Sequence, residues 1–496
     1  MIGTVAAQAF LLASLLLQAP AREGKRAPAA APVTREEMAR AYLGFDRVAT
    51  ERLPSWTTER REEVNHAFDA VTMLFFGADM ARAMEKLNAL TVSIAAANPE
   101  EERRIGAVLA GRWEITPRWM LKGSEPIVEL VDRRGRREGA NELRQRVVVR
   151  SDAMAASWSV DVPVTAVGTC SIRLGDGPDL PSGSYRFILR CEGTSFERPI
   201  GRIAVLGEHP DAIAKRFGAE LDALEKSGAG RERDRATLAS RLKLLTSTPS
   251  NSRSSQFLAD PAQLVRELAE ELAAVGRGDS PWQGRRGDFW RTIRAVAADV
   301  PCRVYVPESL TKESRPALLI ALHGAGGDES MFMDGYGGGQ LKGLAAKYGF
   351  VVVAPATTSF ALTPVVFESI VEEMTFCAGI DPDRVFLLGH SMGAGAAGSI
   401  TELRPGRVAA VAMLAGMGGT PDTSWPPTMI VAGGLDPLFP IARMQASAEQ
   451  GKAAGATVRF VASPHDGHTL VVTAMLPSVV EWMMSLPGRA EGRAAD

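Results

Sequence analysis

Residues 389 to 393 read Gly389-His390-Ser391-Met392-Gly393, and their flanks suit the chemistry a serine hydroxyl can do. The apolar run Val385 to Leu388 comes directly before and predicts a buried strand. Small residues, Ala394 to Gly398, follow and suit a closely packed helix. Strand, sharp turn and helix are the setting in which a G-x-S-x-G serine is held out on a strained turn at the carboxyl edge of a sheet. The glycines two before and two after the serine keep side chains from striking the strand and helix. A hydroxyl so placed becomes a nucleophile when a base can take its proton.

Attack on a carbonyl carbon also needs donors for the negative charge that develops on oxygen. Leu322-His323-Gly324-Ala325-Gly326-Gly327 directly follows a predicted strand, Ala317 to Leu322, and its glycines let backbone amides face a site. The amides of Ala325 and Met392, the latter next after the serine, are the expected oxyanion donors. A phosphate-binding or structural loop is the competing reading of these glycines. No Walker lysine follows them, and they do not form a dinucleotide fingerprint.

The base must come from six histidines. His66 falls in a helical region, His209 lies past a β module, and His323 and His390 sit in the turns already assigned. His465 and His468 remain, in Ser463-Pro464-His465-Asp466-Gly467-His468-Thr469. His468 is the favoured base, because a glycine before it permits a tight loop and a helix begins soon after; His465 is the competitor. The acid that would orient the imidazole is Asp436, in Gly433-Gly434-Leu435-Asp436-Pro437-Leu438 after the predicted strand Thr428 to Ala432. Asp422 and Asp466 compete with it, Asp466 being close to His468 along the backbone. The order serine, acid, histidine is that of the hydrolase triad. Met417, Trp425 and Phe360 come from loops able to line a substrate pocket, and ordinary packing is an equal reading of each. The glycine-rich run Met331 to Gly339 is expected as a mobile loop over the site. The short connection Gly418 to Pro427 has no room for a lid domain, so an open site is expected.

These residues need a scaffold. From Asp288 onward short apolar runs alternate with helical or loop segments. Phe289 to Val296 and Cys302 to Val306 read as a leading antiparallel pair. Ala317 to Leu322, Phe350 to Ala354, Val385 to Leu388, Val408 to Leu414, Thr428 to Ala432 and Thr457 to Val461 follow. The pattern predicts an α/β class domain over 281–488: a mostly parallel sheet with helices on both faces and catalytic groups at the strands' carboxyl ends. Ahead of it, 34–110 reads as helical, with Thr34-Arg35-Glu36-Glu37 as a capping box. Residues 111–207 read as a small β-sandwich-like module and 208–280 as helical again. The mixed charges from Arg231 to Arg241 read as a solvated helix face. The β module is more simply a packing element than a carbohydrate-binding one.

The chain has 496 residues, 46% hydrophobic and 23% charged, with a formal net charge of -2. That balance points away from nucleic-acid and anionic-membrane partners. Residues 1–21 resemble a signal peptide, with an apolar run from Val5 to Leu17 and an Ala19-Pro20-Ala21 cleavage site, although no Lys or Arg precedes the run; an uncleaved anchor is the competing reading. Residues 22–33, rich in Ala and Pro, read as a linker, and 489–496 as a tail. Export would allow Cys170–Cys191 and Cys302–Cys377 disulfides, with four buried thiols an equal expectation. No spacing suggests a zinc site, and no metal or cofactor is expected.

Residues 285–486 resemble the α/β-hydrolase superfamily, and within it secreted esterases of the polyhydroxybutyrate depolymerase and feruloyl or acetyl xylan esterase type. The likeness rests on Val304-Tyr305-Val306-Pro307, Leu322-His323-Gly324, Val353-Ala354-Pro355, and Ile380-Asp381-Pro382-Asp383-Arg384-Val385 leading into the serine motif. It implies Ser391, Asp436 and His468 as a triad and a secreted or periplasmic serine hydrolase acting on small or polymer-linked carboxylic esters. A peptidase of the prolyl oligopeptidase type, or a binding protein on the same fold, are the alternatives. No repeating blade pattern of a peptidase propeller is seen in 34–280. The resemblance does not extend to residues 34–280.

Overall fold

A computed structural model describes residues 32–125, 127–132, 144–151, 157–163, 169–174, 180–190, 193–246, 260–295, 298–357 and 365–488. The expected signal peptide, most of the linker, residues 247–259, Phe360, Cys191 and the tail 489–496 lie outside the described residues, as does the side chain of Cys170. Cys302 and Cys377 are buried free thiols, so the expected bridge between them is absent. Among the described residues no helix is long and apolar enough to cross a membrane.

Contacts divide the chain into two compact units. The first holds Met1–Val48, Ala67–Glu208 and Asp260–Ala262; the second holds Ala49–His66, His209–Ala259 and Gln263–Asp496.

In the first unit, helices α3 (Met80–Ala95) and α4 (Pro99–Ala110) accompany eight described strands; helix α1 (Arg35–Arg52) begins in the first unit and ends in the second, and helix α2 (Thr58–Phe76) begins in the second and ends in the first. The capping box at the start of α1 forms: the Thr34 amide donates to Glu37 Oε2 at 2.8 Å and the Glu37 amide to Thr34 Oγ1 at 3.2 Å. Strands β1 (Trp113–Thr116), β3 (Ile127–Asp132) and β6 (Thr169–Arg173) make one sheet. Strands β2 (Trp119–Leu121), β8 (Glu197–Leu206), β7 (Gly183–Arg190), β4 (Arg144–Ser151) and β5 (Ser157–Pro163) make a five-stranded second sheet. Trp113, Ile115 and Val128 from the first share one core with Val147, Tyr185, Phe187 and Ile203 from the second, which makes a two-layer sandwich. Arg198 donates to the carbonyls of Val108, Leu109 and Gly111 at 2.8–3.1 Å, satisfying the end of α4, where carbonyls lack helical partners.

The second unit is built on an eight-stranded sheet in the order β16-β15-β14-β13-β11-β12-β10-β9. Strands β9 (Gly287–Ala295) and β10 (Ala298–Val306) form the antiparallel edge. Strands β11 (Leu318–Leu322), β12 (Val351–Pro355), β13 (Val385–His390), β14 (Ala410–Leu414), β15 (Thr428–Gly433) and β16 (Val458–Ser463) run parallel to one another. Strands β11 to β15 are buried along their whole length, as expected of a sheet covered on both faces. Helices α5 (Pro210–Ser227), α6 (Glu232–Leu242), α7 (Pro261–Gly276, its first two residues in the first unit), α8 (Tyr336–Tyr348), α9 (Val365–Ala378), α10 (Met392–Leu403), α11 (Ile441–Ala453) and α12 (Leu470–Ser485) complete the described α-helices.

Two expectations are corrected here. The charge cluster Arg231 to Arg241 is not a solvated face. Asp234, Thr237 and Arg241 are buried, Arg241 pairs with Glu271 at 2.5 Å, and Arg231 and Arg233 reach Glu373 at 2.9 and 3.2 Å. At the centre Arg291, also buried, bridges Asp234 and Glu373. The helix bearing Arg231 to Arg241 is thereby tied to the sheet and belongs to the same compact unit. The run Met331 to Gly339 is likewise not a free loop. Phe332, Met333 and Tyr336 join the core, and Gly337, Gly338 and Gly339 all adopt positive φ before the regular part of α8 begins. A Cβ on Gly339 would stand 2.1 Å from the Met333 carbonyl oxygen, so these glycines serve a tight turn.

Candidate active site

Strand β13 delivers Ser391 onto its turn. The residue has φ 54° and ψ -115°, outside the regions that L residues populate, and it is followed at once by α10. The turn closes because its flanking positions carry no side chain. A Cβ on Gly389 would lie 2.2 Å from the Gly393 carbonyl oxygen, and one on Gly393 would lie 2.0 Å from that of Leu322. Strand β13 pairs directly with β11, which pairs on its other side with β12. The serine therefore stands where the strand order reverses, the usual place for a ligand in an open α/β sheet.

The expected base and acid arrive from the loops after β16 and β15. His468 Nε2 lies 3.0 Å from Ser391 Oγ, and His468 Nδ1 lies 2.9 Å from Asp436 Oδ2. A carboxylate only accepts, so Nδ1 carries the hydrogen and Nε2 presents its lone pair to the serine hydroxyl. The other Asp436 oxygen accepts the amides of Leu438 and Phe439 at 2.8 and 3.0 Å, which fixes the carboxylate on its own turn after β15. All three side chains are buried, Ser391 retaining 8% exposure. The Phe439 ring stacks on His468 at 5.9 Å between centroids.

Backbone geometry aims the two expected oxyanion donors. The Gly324 carbonyl accepts from the Gly327 amide at 3.2 Å and contacts His323 Nδ1 at 2.8 Å. The Thr357 amide donates to His323 Nε2 at 2.9 Å, so the ring hydrogen is on Nδ1. The Gly324 carbonyl and the Ala325 N–H belong to one planar trans peptide and point in opposite directions. Holding the first therefore turns the second away from the His323 ring. Ser391's carbonyl accepts from Ala394 and Gly395, so the Met392 N–H points the other way, out of the amino end of α10. A Cβ on Gly324 would sit 3.3 Å from Ser391 Cβ, which brings the two turns side by side. Ala325 and Met392 are both half-buried.

A second histidine joins these parts. His390 Nε2 lies 3.0 Å from the His468 carbonyl oxygen, and His390 Nδ1 lies 2.7 Å from Tyr336 Oη. The Gly324 amide donates to that same hydroxyl at 3.4 Å. A carbonyl cannot donate, so His390 carries its hydrogen on Nε2 and accepts the tyrosine proton on Nδ1. Burial, and then the neighbouring His468, hold the His390 pKa well below the ordinary 6.5, which keeps the ring neutral and this polarity fixed.

The eight strands, with six parallel ones flanked by helices and a serine–histidine–aspartate set at their carboxyl ends, decide the architecture. This is the α/β-hydrolase fold. No family model matches the sequence, and no curated protein matches it. Among solved structures, the chain is similar to an S-formylglutathione hydrolase from Staphylococcus aureus, at 15% identity over 41% of this chain and 98% of that one, with a TM-score of 0.35. It is also similar to a thermostable esterase, at 19% identity over 40% and 62%, TM-score 0.34, and to esterase 2 of Thermogutta terrifontis, at 16% identity over 40% and 93%, TM-score 0.33. Likenesses this distant carry no weight for the chemistry, which stands on the distances above.

The fold thus brings together Ser391, Asp436, His468 and the turns bearing Ala325 and Met392. The competing acids and base are engaged elsewhere. Asp422 accepts from Ser424 on an exposed turn, Asp466 binds Arg61, and half-exposed His465 faces Glu62 at 2.7 Å. Met417 is half-buried beside Gly416, where a Cβ would stand 2.8 Å from Ser391 Cα. Trp425 is buried against the turn at Gly419. Sequence reading missed Tyr336, Phe439, Arg61 and Asn65, and gave His390 no role. The spacing of Phe439, three residues past Asp436, was the one local signal available.

Proposed function

We propose that this protein is a serine hydrolase of carboxylic esters. The observation that carries the reading is the unbroken series Asp436 Oδ2, His468 Nδ1, His468 Nε2, Ser391 Oγ, with steps of 2.9 and 3.0 Å. Ser391 Oγ attacks the ester carbonyl carbon as its proton passes to His468 Nε2. The carbonyl oxygen becomes an oxyanion held by the Ala325 and Met392 amides, assisted by the amino end of α10. The C–O bond to the alcohol breaks, and the leaving oxygen takes the proton from His468. Water then gives a proton to His468, attacks the acyl carbon and releases the acid, restoring the serine. Asp436 keeps the imidazole in its working tautomer and stabilises the charged ring.

Polymer-linked or polyester substrates fit the expected absence of a lid domain after β14, and export fits the apolar run Val5 to Leu17 followed by Ala19-Pro20-Ala21. Hydrolysis of p-nitrophenyl acetate and butyrate tests the reading. Ser391→Ala and His468→Ala should each lower kcat/KM by about a thousandfold or more. Equal slow rates in all three proteins would overturn it.

A further inference from the structure

The loop that carries His468 is held by residues from the other end of the chain. Arg61, in the first turns of α2, sends Nε to Asp466 Oδ1 at 2.7 Å and Nη2 to Asp466 Oδ2 at 2.5 Å, across 405 positions of sequence. Such a two-pronged bond fixes a carboxylate in orientation as well as position. One turn later, Asn65 Oδ1 accepts the Gly467 amide at 2.7 Å, and its Nδ2 donates to the Arg61 carbonyl at 2.8 Å. Residues 61 and 65 share one helix face by their spacing. Asn65 and Asp466 are both buried, and the Ser463 hydroxyl donates to Asp466 Oδ2 at 2.5 Å. The Asp466 carbonyl also accepts the Leu435 amide at 3.0 Å, next to Asp436. Residues 49–66 belong to the same compact unit as the sheet.

We propose that Arg61 and Asn65 are positioning residues for His468, so that the first turns of α2 help to place the base. The inference rests on the hydrolase reading above. The backbone at His468 is approached from both sides: Gly467 is tied to Asn65, and the His468 carbonyl is tied to His390. Without Arg61 the buried Asp466 carboxylate would keep the Ser463 hydroxyl but lose its guanidinium partner, a state that a loop escapes by moving outward. Displacing the base by about 1 Å is enough to cost roughly a hundredfold in rate.

The test is steady-state hydrolysis of p-nitrophenyl butyrate by the full chain, with thermal midpoints measured alongside. Asn65→Ala should lower kcat about tenfold to a hundredfold while KM stays within about twofold. Arg61→Ala should lower it further, and Arg61→Lys should restore part, since an ammonium keeps the charge but not the fork. Because Arg61→Ala strands a buried charge, Arg61→Ala/Asp466→Asn is made beside it. The double variant should regain stability without regaining wild-type kcat. If Ser391→Ala abolishes hydrolysis while Asn65→Ala and the double variant keep wild-type kcat, the positioning role is overturned and the hydrolase reading stands. If Ser391→Ala leaves the rate intact, both fall.

Discussion

At the scale of single residues, the site depends on hydrogen positions that its surroundings leave no choice about. His468 must carry hydrogen on Nδ1, His390 on Nε2 and His323 on Nδ1, because each faces a group that can only accept or only donate. Tyr336 has the least replaceable place, standing between the Gly324 amide and His390. Tyr336→Phe should cost about 1–3 kcal/mol of stability, the penalty for leaving buried polar groups unpaired. It should also lower kcat more than it raises KM, because the Gly324 turn loses its tie and His390, which holds the His468 carbonyl, loses its partner; urea titration and steady-state kinetics check the two effects. His390 adds a pH dependence. Its folded pKa lies well below 6.5, so the stability it contributes is complete above pH 6.5 and is lost as pH falls below that value. The slope of unfolding free energy between pH 7 and 5 should therefore be shallower in His390→Gln than in the wild type.

At the scale of elements, the elbow is a close approach of a strand, a turn and a helix. Gly393→Ala would place a methyl group 2.0 Å from the Leu322 carbonyl oxygen, a backbone atom that no side-chain rotation relieves. The cost should be about 1–3 kcal/mol or more, with activity lost as the elbow opens. Gly343→Ala, on α8 with open space around it, is the matched control and should be near neutral. This is also where the sequence was most legible. Apolar runs with glycines at their ends marked each parallel strand and the turns bearing Ser391 and Asp436, since burial on both faces and tight turns leave a local trace. His468 followed by elimination among few histidines. Arg61 and Asn65 left no trace, because they read as ordinary polar helix residues until the fold sets them against Asp466 and Gly467. The cluster Arg231 to Arg241 failed for the same reason: Glu373 and Glu271, its partners, come from distant segments.

At the scale of the whole chain, the sheet is secured by buried charge as well as apolar packing. Burial alone would raise the Glu373 carboxyl, but Arg291 and then Arg231 outweigh it and hold the pKa below the ordinary 4.5. Its contribution is therefore present above pH 4.5 and is lost as pH falls through the lower folded value. Urea midpoints measured from pH 7 down to 3 should fall more steeply below 4.5 for wild type than for Glu373→Gln. At neutral pH that variant should already be less stable by about 1–3 kcal/mol, since buried Arg291 keeps Asp234 but loses its second carboxylate. Helices α5 and α6 and the first turns of α2 belong to this unit, so residues 281–488 alone would lack Arg231, Arg233 and Asp234 from the ionic cluster and the Arg61 tie on the His468 loop.

The central claim is that Ser391 is a nucleophile made reactive by His468. Peptide mass mapping after reaction with a fluorophosphonate probe tests it most directly. The account predicts one adduct per chain, on the peptide containing Ser391, formed rapidly by the wild type, much more slowly by His468→Ala, and not at all by Ser391→Ala. An unlabelled Ser391 in a protein that still hydrolyses esters would contradict it.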